Sequence, residues 1–306
     1  MRFERLDLNL LVALDVLIEE RSVSTAAKRL HLSQPAVSGA LNRLRDFFGD
    51  ELLVQAGRQM VLTSKAEELT APIREALMLI RTRITTPVRF DPATAERRFK
   101  VIASDYVFTV MLAETFANIS ETSPGISFEL MNPEPRTIEL LERGEADLLI
   151  TIDTHIKSEL PSVFLFEDEH AVICWSGSEH AAGMDAARYS AAGHAISYIG
   201  PARFQAFAEI FFERHKVERR GEIFVPSFTM LPQAVIGTNR VATLQRRYAE
   251  YCARSMPITV LPVPFDMPKL REAAQWHPMR EKDAGLAWLV EIIRQDAKRL
   301  HAPEGG

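Results

Sequence analysis

Gln34, Ser38 and Asn42 lie at four-residue spacing, and Arg43 and Arg45 follow closely, so a helix through them would show all five on its outward face. The amides of Gln34 and Asn42 match the N6/N7 edge of adenine, the Ser38 hydroxyl serves a base or a phosphate, and the two guanidiniums suit phosphate oxygens. Ser33 and Pro35 open that helix, and Arg58 falls at the tip of a following hairpin, where a phosphate or minor-groove contact is expected. Together these residues form a candidate surface for reading duplex DNA. The plain alternative is an ordinary helical hairpin with a solvated polar face.

A second set of chemistry-bearing residues lies further along the chain. Ser104-Asp105 follows a predicted strand and precedes a predicted helix, where N–H groups and a hydroxyl would receive an anionic or phenolic oxygen. Ser227-Phe228-Thr229 forms a comparable corner, and the two would grip one ligand from opposite sides; as plain N-caps they would only start helices. Thr151 ends another predicted strand, Phe166 and Trp276 offer flat apolar walls, and His170 and His277 offer hydrogen bonds to a phenolate or carboxylate. Aromatic side chains at such positions also serve as ordinary core. The chain has no G-x-S-x-G elbow, phosphate loop, G-x-G-x-x-G or H-E-x-x-H run, so this set points to binding rather than catalysis, with no metal or cofactor expected. An enzyme working in the same cleft and a cytosolic small-molecule binding protein are the competing readings.

The first set must be positioned by the run from Ser22 to Ser38, which reads as two short helices joined by a tight turn. Ala26 and Ala27 permit close approach, Leu30, Leu32, Val37 and Leu41 would close a small core, and Ser24 and Ser33 are the expected caps. Pro35 falls in the first turn of the second helix, where its missing N–H has no intrahelical partner to lose. His31 centres the turn and is among the non-glycine residues that enter positive φ more often. Val37, Leu41, Leu44 and Phe48 face inward, and Leu10, Leu11, Leu14, Leu17 and Ile18 predict a supporting helix ending near Arg21. Leu52-Leu53-Val54 and Met60-Val61-Leu62, around Gly57-Arg58-Gln59, predict the hairpin, a wing beside the motif.

Ser64 and Glu67 fit a capping box at the start of a long helix. Its apolar stripe, including Leu69, Ile73, Leu77, Ile80 and Ile84, is expected to pair two subunits unless it packs on its own domain, and Pro72 should bend or weaken it. Thr86-Pro87-Val88-Arg89-Phe90-Asp91-Pro92 reads as a linker. Beyond it, predicted strands at 98–103, 127–131, 146–152, 171–175, 222–225, 241–244 and 258–263 alternate with helices at 106–120, 136–143, 203–216, from about 229, and 284–300. That alternation predicts open, largely parallel α/β sheets, in two lobes with a cleft at the carboxyl ends of the strands. The expected divisions are a winged helix-turn-helix domain over 1–63 (motif 23–42), a linker helix over 64–89, and an effector domain over 90–306. Its first lobe is expected at about 90–165 and 268–306, its second at about 166–267.

The whole chain of 306 residues carries a net charge of −5, at odds with a protein that coats nucleic acid indiscriminately. Yet residues 28–65 hold Lys28, Arg29, Arg43, Arg45, Arg58 and Lys65 against Asp46, Asp50 and Glu51, a locally basic stretch sufficient for a modest phosphate footprint. Cys174 and Cys252 form neither a C-x-x-C pair nor a zinc set, consistent with buried thiols in a reducing compartment. With no signal-peptide pattern at the start and no long apolar run, a soluble, cytoplasmic protein without membrane contact is expected.

Asp7-Leu8-Asn9-Leu10-Leu11, the Ala26-Ala27 pair, Leu32-Ser33-Gln34-Pro35-Ala36-Val37-Ser38, Arg43-Leu44-Arg45 and Asp50-Glu51-Leu52-Leu53 resemble LysR-type transcriptional regulators, and the likeness runs through the chain. The resemblance implies a winged helix-turn-helix domain, a linker helix pairing two subunits, and a two-lobed effector domain like periplasmic binding proteins. It further implies homodimers or homotetramers on promoter DNA, a small-molecule effector, activation through RNA polymerase, and no enzymatic activity. Gly39-Ala40-Leu41-Asn42 departs from the bulky polar or basic residues that many members carry there, so base preference does not transfer. The opening residues, Gly39-Ala40 and Ala273-Ala274-Gln275-Trp276 look most like the subgroup of nodulation and aromatic-degradation regulators, which implies a phenolic or chlorinated aromatic effector.

Overall fold

Asp7 caps α1 (Leu8–Glu20) by accepting the Asn9 N–H, and Arg21 ends it in the left-handed region at φ 46°. The computed structural model describes residues 6–57, 59–84, 90–199 and 204–300, in two units, Met1–Pro87 and Val88–Gly306. In the first unit, Ser22 rather than Ser24 caps α2 (Val23–Arg29), taking the Thr25 N–H at 3.3 Å. Ser22 has the extended backbone a cap requires, whereas Ser24 already lies in the first turn and hydrogen-bonds the Ser22 hydroxyl. His31 takes φ 53°, then Ser33 caps α3 (Gln34–Phe48), with Pro35 in its first turn and Gly49 closing it at φ 64°. Ala26, Ala27, Val37, Leu41 and Leu44 bury together with Leu14 and Leu17 of α1. Leu32, expected in that core, is 52% exposed, since the left-handed residue before it turns it outward; Leu30 packs there instead.

Strands β1 (Leu53–Ala56) and β2 (Gln59–Leu62) pair antiparallel with Ala56 opposite Gln59, which makes the wing a tight hairpin; Arg58 at its tip lies outside the described residues. Asp50 fastens the wing's base, accepting the Leu52 N–H at 2.7 Å and the Thr63 hydroxyl at 2.6 Å, and these bonds hold its carboxyl below its ordinary range. Thr63, one residue before the expected Ser64, caps α4 (Ser64–Leu79), which continues through Pro72 into a π-helical turn at Ile80–Ile84. The stripe expected to pair subunits is divided. Ile73 and Leu77 are buried in the unit's own core, where α4 packs on α1, and Leu69 packs against that core; they are therefore not a free pairing surface. Ile80 is half-buried, while Leu79 and Ile84 are exposed.

The second unit opens with β3 (Arg97–Ile102), followed by a helical run made of α5 (Asp105–Val107), a π turn (Phe108–Leu112) and α6 (Ala113–Thr122). Then come β4 (Ile126–Met131), α7 (Thr137–Glu142), β5 (Leu148–Ile152), β6 (Ser162–Asp168) and β7 (His170–Trp175). The chain continues through α8 (Ala186–Ala191), β8 (Gly193–Ile199), β9 (Phe204–Gln205), α9 (Phe207–Arg214), β10 (Arg220–Val225) and α10 (Leu231–Val235). It closes with β11 (Arg240–Gln245), α11 (Arg246–Ala253), β12 (Ile258–Pro262), β13 (Leu270–Gln275) and α12 (Ala284–Arg299). One sheet runs β4-β3-β5-β13-β6 and the other β10-β8-β11-β7-β12, with β9 added on β8.

The sheets are mixed rather than largely parallel. In the first, β13 pairs antiparallel with both neighbours; in the second, β7 does. Both exceptions have one cause: β7 and β13 each enter a lobe from the other one, hence from the cleft end of its strands, and must run against them. The crossing at Glu169 leaves β6, and with it Phe166, in the first lobe instead of the second, where the sequence reading put that residue. The return crossing lies between Pro262 and Leu270. Phe99, Val101, Leu148, Ile150, Leu286 and Leu289 fill the first lobe, and Val172, Cys174, Tyr189 and Phe212 pack under the second sheet.

Candidate functional site

On α3 the exposed surface carries Gln34, Pro35, Asn42 and Arg43, with Ser38 partly exposed between them, so one accessible face holds amides, a hydroxyl and a guanidinium. Ser33 is exposed, but its hydroxyl is engaged with the Ala36 N–H as the cap. Arg43 reaches Asp7 at 3.6 Å across open solvent, a contact too exposed to hold it from a phosphate. Arg45 differs from the expectation. Its Nε donates to the Glu51 carbonyl at 2.8 Å and its Nη2 to the Leu53 carbonyl at 2.9 Å, so it fastens the wing to α3 instead of facing outward.

In the second unit the two predicted corners meet. Asp105 Oδ2, at the start of α5, accepts the Thr229 N–H at 2.7 Å, joining the first lobe to the second. Ser104 caps α5 through the Val107 N–H at 3.2 Å. Ser227 and Thr229 share a hydroxyl–hydroxyl bond, Tyr248 donates to the Thr229 carbonyl, and Phe228 is buried beneath them. Strand direction explains the encounter, because β3 and β10 both end at this corner.

Behind the corner, at the crossing strand, lies an acidic floor. Tyr106 donates to Asp168 Oδ2 at 2.7 Å, and the Glu169 and Arg247 N–H groups also donate to that carboxylate. Burial nevertheless raises the Asp168 carboxyl, and it raises the Tyr106 phenol well above its usual range. Glu272, on the adjacent β13, is buried beside them, and its carboxyl is pushed up to about 8 by burial and then by Asp168 and Asp153. His170 opens β7 opposite Gln245 and stacks on Phe207 at 5.7 Å; burial pushes its imidazole down to about 4, so it is neutral and no cationic partner for an anion.

The bacterial regulatory helix-turn-helix domain of the lysR family matches residues 8–67, and the LysR substrate-binding domain matches residues 92–298. The chain belongs to the LysR family. As a LysR-family protein it is a sequence-specific DNA-binding regulator with a small-molecule cleft, not an enzyme. It is 40% identical to nodulation protein D 2 of Bradyrhizobium diazoefficiens, over 98% of this chain and 91% of that one. Nodulation protein D 3 of Rhizobium meliloti is 37% identical over 99% of this chain and 97% of its own. A probable transcriptional regulator of Pseudomonas aeruginosa has a similar structure, with TM-score 0.62 and 27% identity over 95% of this chain and 98% of that one. CbnR, a LysR family transcriptional regulator, shares the fold at TM-score 0.58 and 16% identity over 95% and 99% of the two chains.

Within this LysR-family cleft, Ser104, Asp105, Ser227, Phe228 and Thr229 come together, and His170 lies at the crossing beside them. Thr151, partly exposed near the end of β5, lies two residues past Leu149, the partner of Ile102, and so at the same end of the sheet as Ser104. Three expected residues do not join that group. Phe166 is fully buried edge-on to Tyr106, as core beneath the floor. Trp276 and His277 follow β13, whose reversed direction carries them to the opposite end of the sheet. There Trp276 lines a separate pocket of about 320 Å³ with Arg280, Leu286 and Val290, and His277 Nδ1 accepts the Met279 N–H as a cap. Tyr106, Asp168, Gln245 and Glu272 escaped the sequence reading. The available signal was a carboxylate at Asp168 and an amide at Gln245 closing largely apolar strands, whereas Glu272 stands beside Arg271 in a polar run that gave none.

Among the described residues no helix is long and apolar enough to cross a membrane.

Proposed function

We propose that this regulator is an activator that reads promoter DNA with Gln34, Ser38 and Asn42, sets its register through Arg43 on phosphate, and responds to a small phenolic or chlorinated aromatic effector in the cleft. The observation that carries the effector reading is the bond from Asp105 to Thr229, which gives the two lobes a closed arrangement that a ligand favours or opposes. By linkage, an effector with unequal affinity for two lobe arrangements shifts their populations, and with them the promoter geometry offered to RNA polymerase. The curated relatives named nodulation protein D support placing the chain in that group of regulators. Homodimers or homotetramers fit the exposed Leu79 and Ile84 at the end of the helix that begins at Ser64.

Footprinting and bend measurement on the promoter, with and without a panel of phenols and chlorinated aromatics, test the reading. A footprint or bend that changes with one class of these compounds supports it, and invariance across the panel counts against it. On the DNA side, Gln34→Ala is expected to weaken specific binding by about 1–3 kcal/mol while sparing random DNA. Equal losses on both would remove Gln34 from base reading.

A further inference from the structure

Asp168, the last residue of β6 before the crossing, ties the two lobes together through one oxygen. Its Oδ2 accepts the Tyr106 hydroxyl of the first lobe at 2.7 Å and, at 3.3 Å, the Arg247 N–H at the start of α11 in the second. Its Oδ1 accepts the Glu169 N–H at 2.8 Å. Glu272 stands beside this tie: Asp168 pairs with Leu270 and Phe166 with Glu272, so the two carboxyl groups are diagonal neighbours on one face of the sheet. Glu272 is 4% exposed, and its Oε2 has no hydrogen-bond partner among the described residues. The other charged groups around the pair are Asp153, bound by Arg271, which also holds Glu167, and Arg247, whose Nε lies 4.0 Å from Asp168.

With its proton, Glu272 is a neutral neighbour for Asp168. Without it, the floor holds two adjacent carboxylates, one of them buried with an oxygen that nothing donates to. Of the bonds to Asp168 the one from the Arg247 N–H is the longest, and so the first surrendered as the carboxylates separate. We propose that Glu272 is a proton switch for the lobe crossing: protonated, it leaves Asp168 tying α5 to α11, and ionised, it drives Asp168 from the Arg247 N–H and frees the two lobes to open. Burial pushes the Glu272 carboxyl up to about 8, and burial also raises the Tyr106 phenol, which keeps its proton throughout. The lobes then respond to alkaline pH whichever effector the cleft takes, so the inference does not rest on the aromatic reading.

Amide-resolved hydrogen exchange of the full chain at about pH 6.5 and about pH 9, corrected for the intrinsic pH dependence of exchange, tests it at the Arg247 N–H. The Leu286 N–H, held by Asp283 at 3.1 Å at the start of α12, is the reference, since a loss of stability of the whole unit would release both. Relative to Leu286, exchange at Arg247 should rise about tenfold in the parent, the factor that one pH unit beyond about 8 allows, and stay level in Glu272→Gln. No rise in the parent, a rise shared equally by Leu286, or the same rise in Glu272→Gln overturns the proposal. Where tryptophan fluorescence shows Glu272→Gln to be unfolded, Asp168→Asn takes its place, since it removes the adjacent charge and keeps an oxygen for the Tyr106 and Arg247 donors. A level ratio in that variant supports the switch, and an unchanged rise overturns it.

Discussion

Replacing Glu272 with glutamine should stabilise the second unit progressively more as pH rises. Glu272 is 4% exposed, one of its carboxyl oxygens lacks a partner among the described residues, and its carboxyl is pushed up to about 8 from an ordinary 4.5. Between those two values the unfolded chain has released the proton and the folded unit retains it, so stability declines as pH rises. The contribution is complete below 4.5 and lost as pH passes through about 8. At about 1.4 kcal/mol per pH unit, moving from about pH 5.5 to about pH 7.5 removes about 2.5 kcal/mol. Glutamine has no proton to release, so the difference in unfolding free energy between variant and parent should widen by that amount. Any constant cost of burying an amide cancels in this comparison, as do the contributions of His170 and His194, both pushed down to about 4. Trp175, Trp276 and Trp288 all lie in the second unit, so urea unfolding followed by tryptophan fluorescence reports on that unit alone. A gap that stays the same at both pH values would mean that Glu272 is ionised and compensated in the folded state, and the argument from burial would fall.

Arg45→Met should lower hydrogen-exchange protection of the wing by about 1–3 kcal/mol while leaving the salt dependence of DNA binding unchanged. Arg43→Met should do the reverse, reducing that salt slope by about one. Arg97 holds the buried Asp283 carboxylate through paired bonds of 2.6 and 2.7 Å, and Arg97→Ala should cost about 3 kcal/mol in urea unfolding of the second unit, with much of the loss recovered on adding Asp283→Ala. Leu79→Asp with Ile84→Asp should shift sedimentation toward smaller species, whereas Leu77→Ala should destabilise the first unit by about 2–5 kcal/mol through a cavity in its own core.

The first unit was largely legible in the sequence because its determinants are local. Ser33, Pro35, His31 and the inward leucines act within a few residues of one another, and the two misplaced caps, Ser24 for Ser22 and Ser64 for Thr63, arose among neighbouring hydroxyls that differ only in backbone conformation. The second unit was legible where apolar strands alternate with amphipathic helices. It was not legible at β13, whose Leu-Arg-Glu-Ala-Ala-Gln reads as helix as readily as strand and acquires its extended form from β5 and β6 on either side. Trp276 and His277 were misplaced for the same reason, since the direction of β13 is a property of the assembled sheet. Arg45 illustrates a further limit: a basic residue beside a DNA-reading face is equally able to bind a carbonyl, and only the path of the wing decides between them.

The place of β13 between β5 and β6 also governs how the protein is born. On the ribosome, β6 emerges soon after β5 but has no neighbour to pair with, because the strand that separates them begins at Leu270, beyond the whole of the second lobe. The first unit has all its elements early, and the second lobe can assemble next, while the first lobe waits with an unfilled slot and two unpaired strand edges. The last stretch of synthesis therefore completes the oldest part of the effector unit, and a chain arrested before Leu270 carries a finished DNA-reading end beside a half-built sensor.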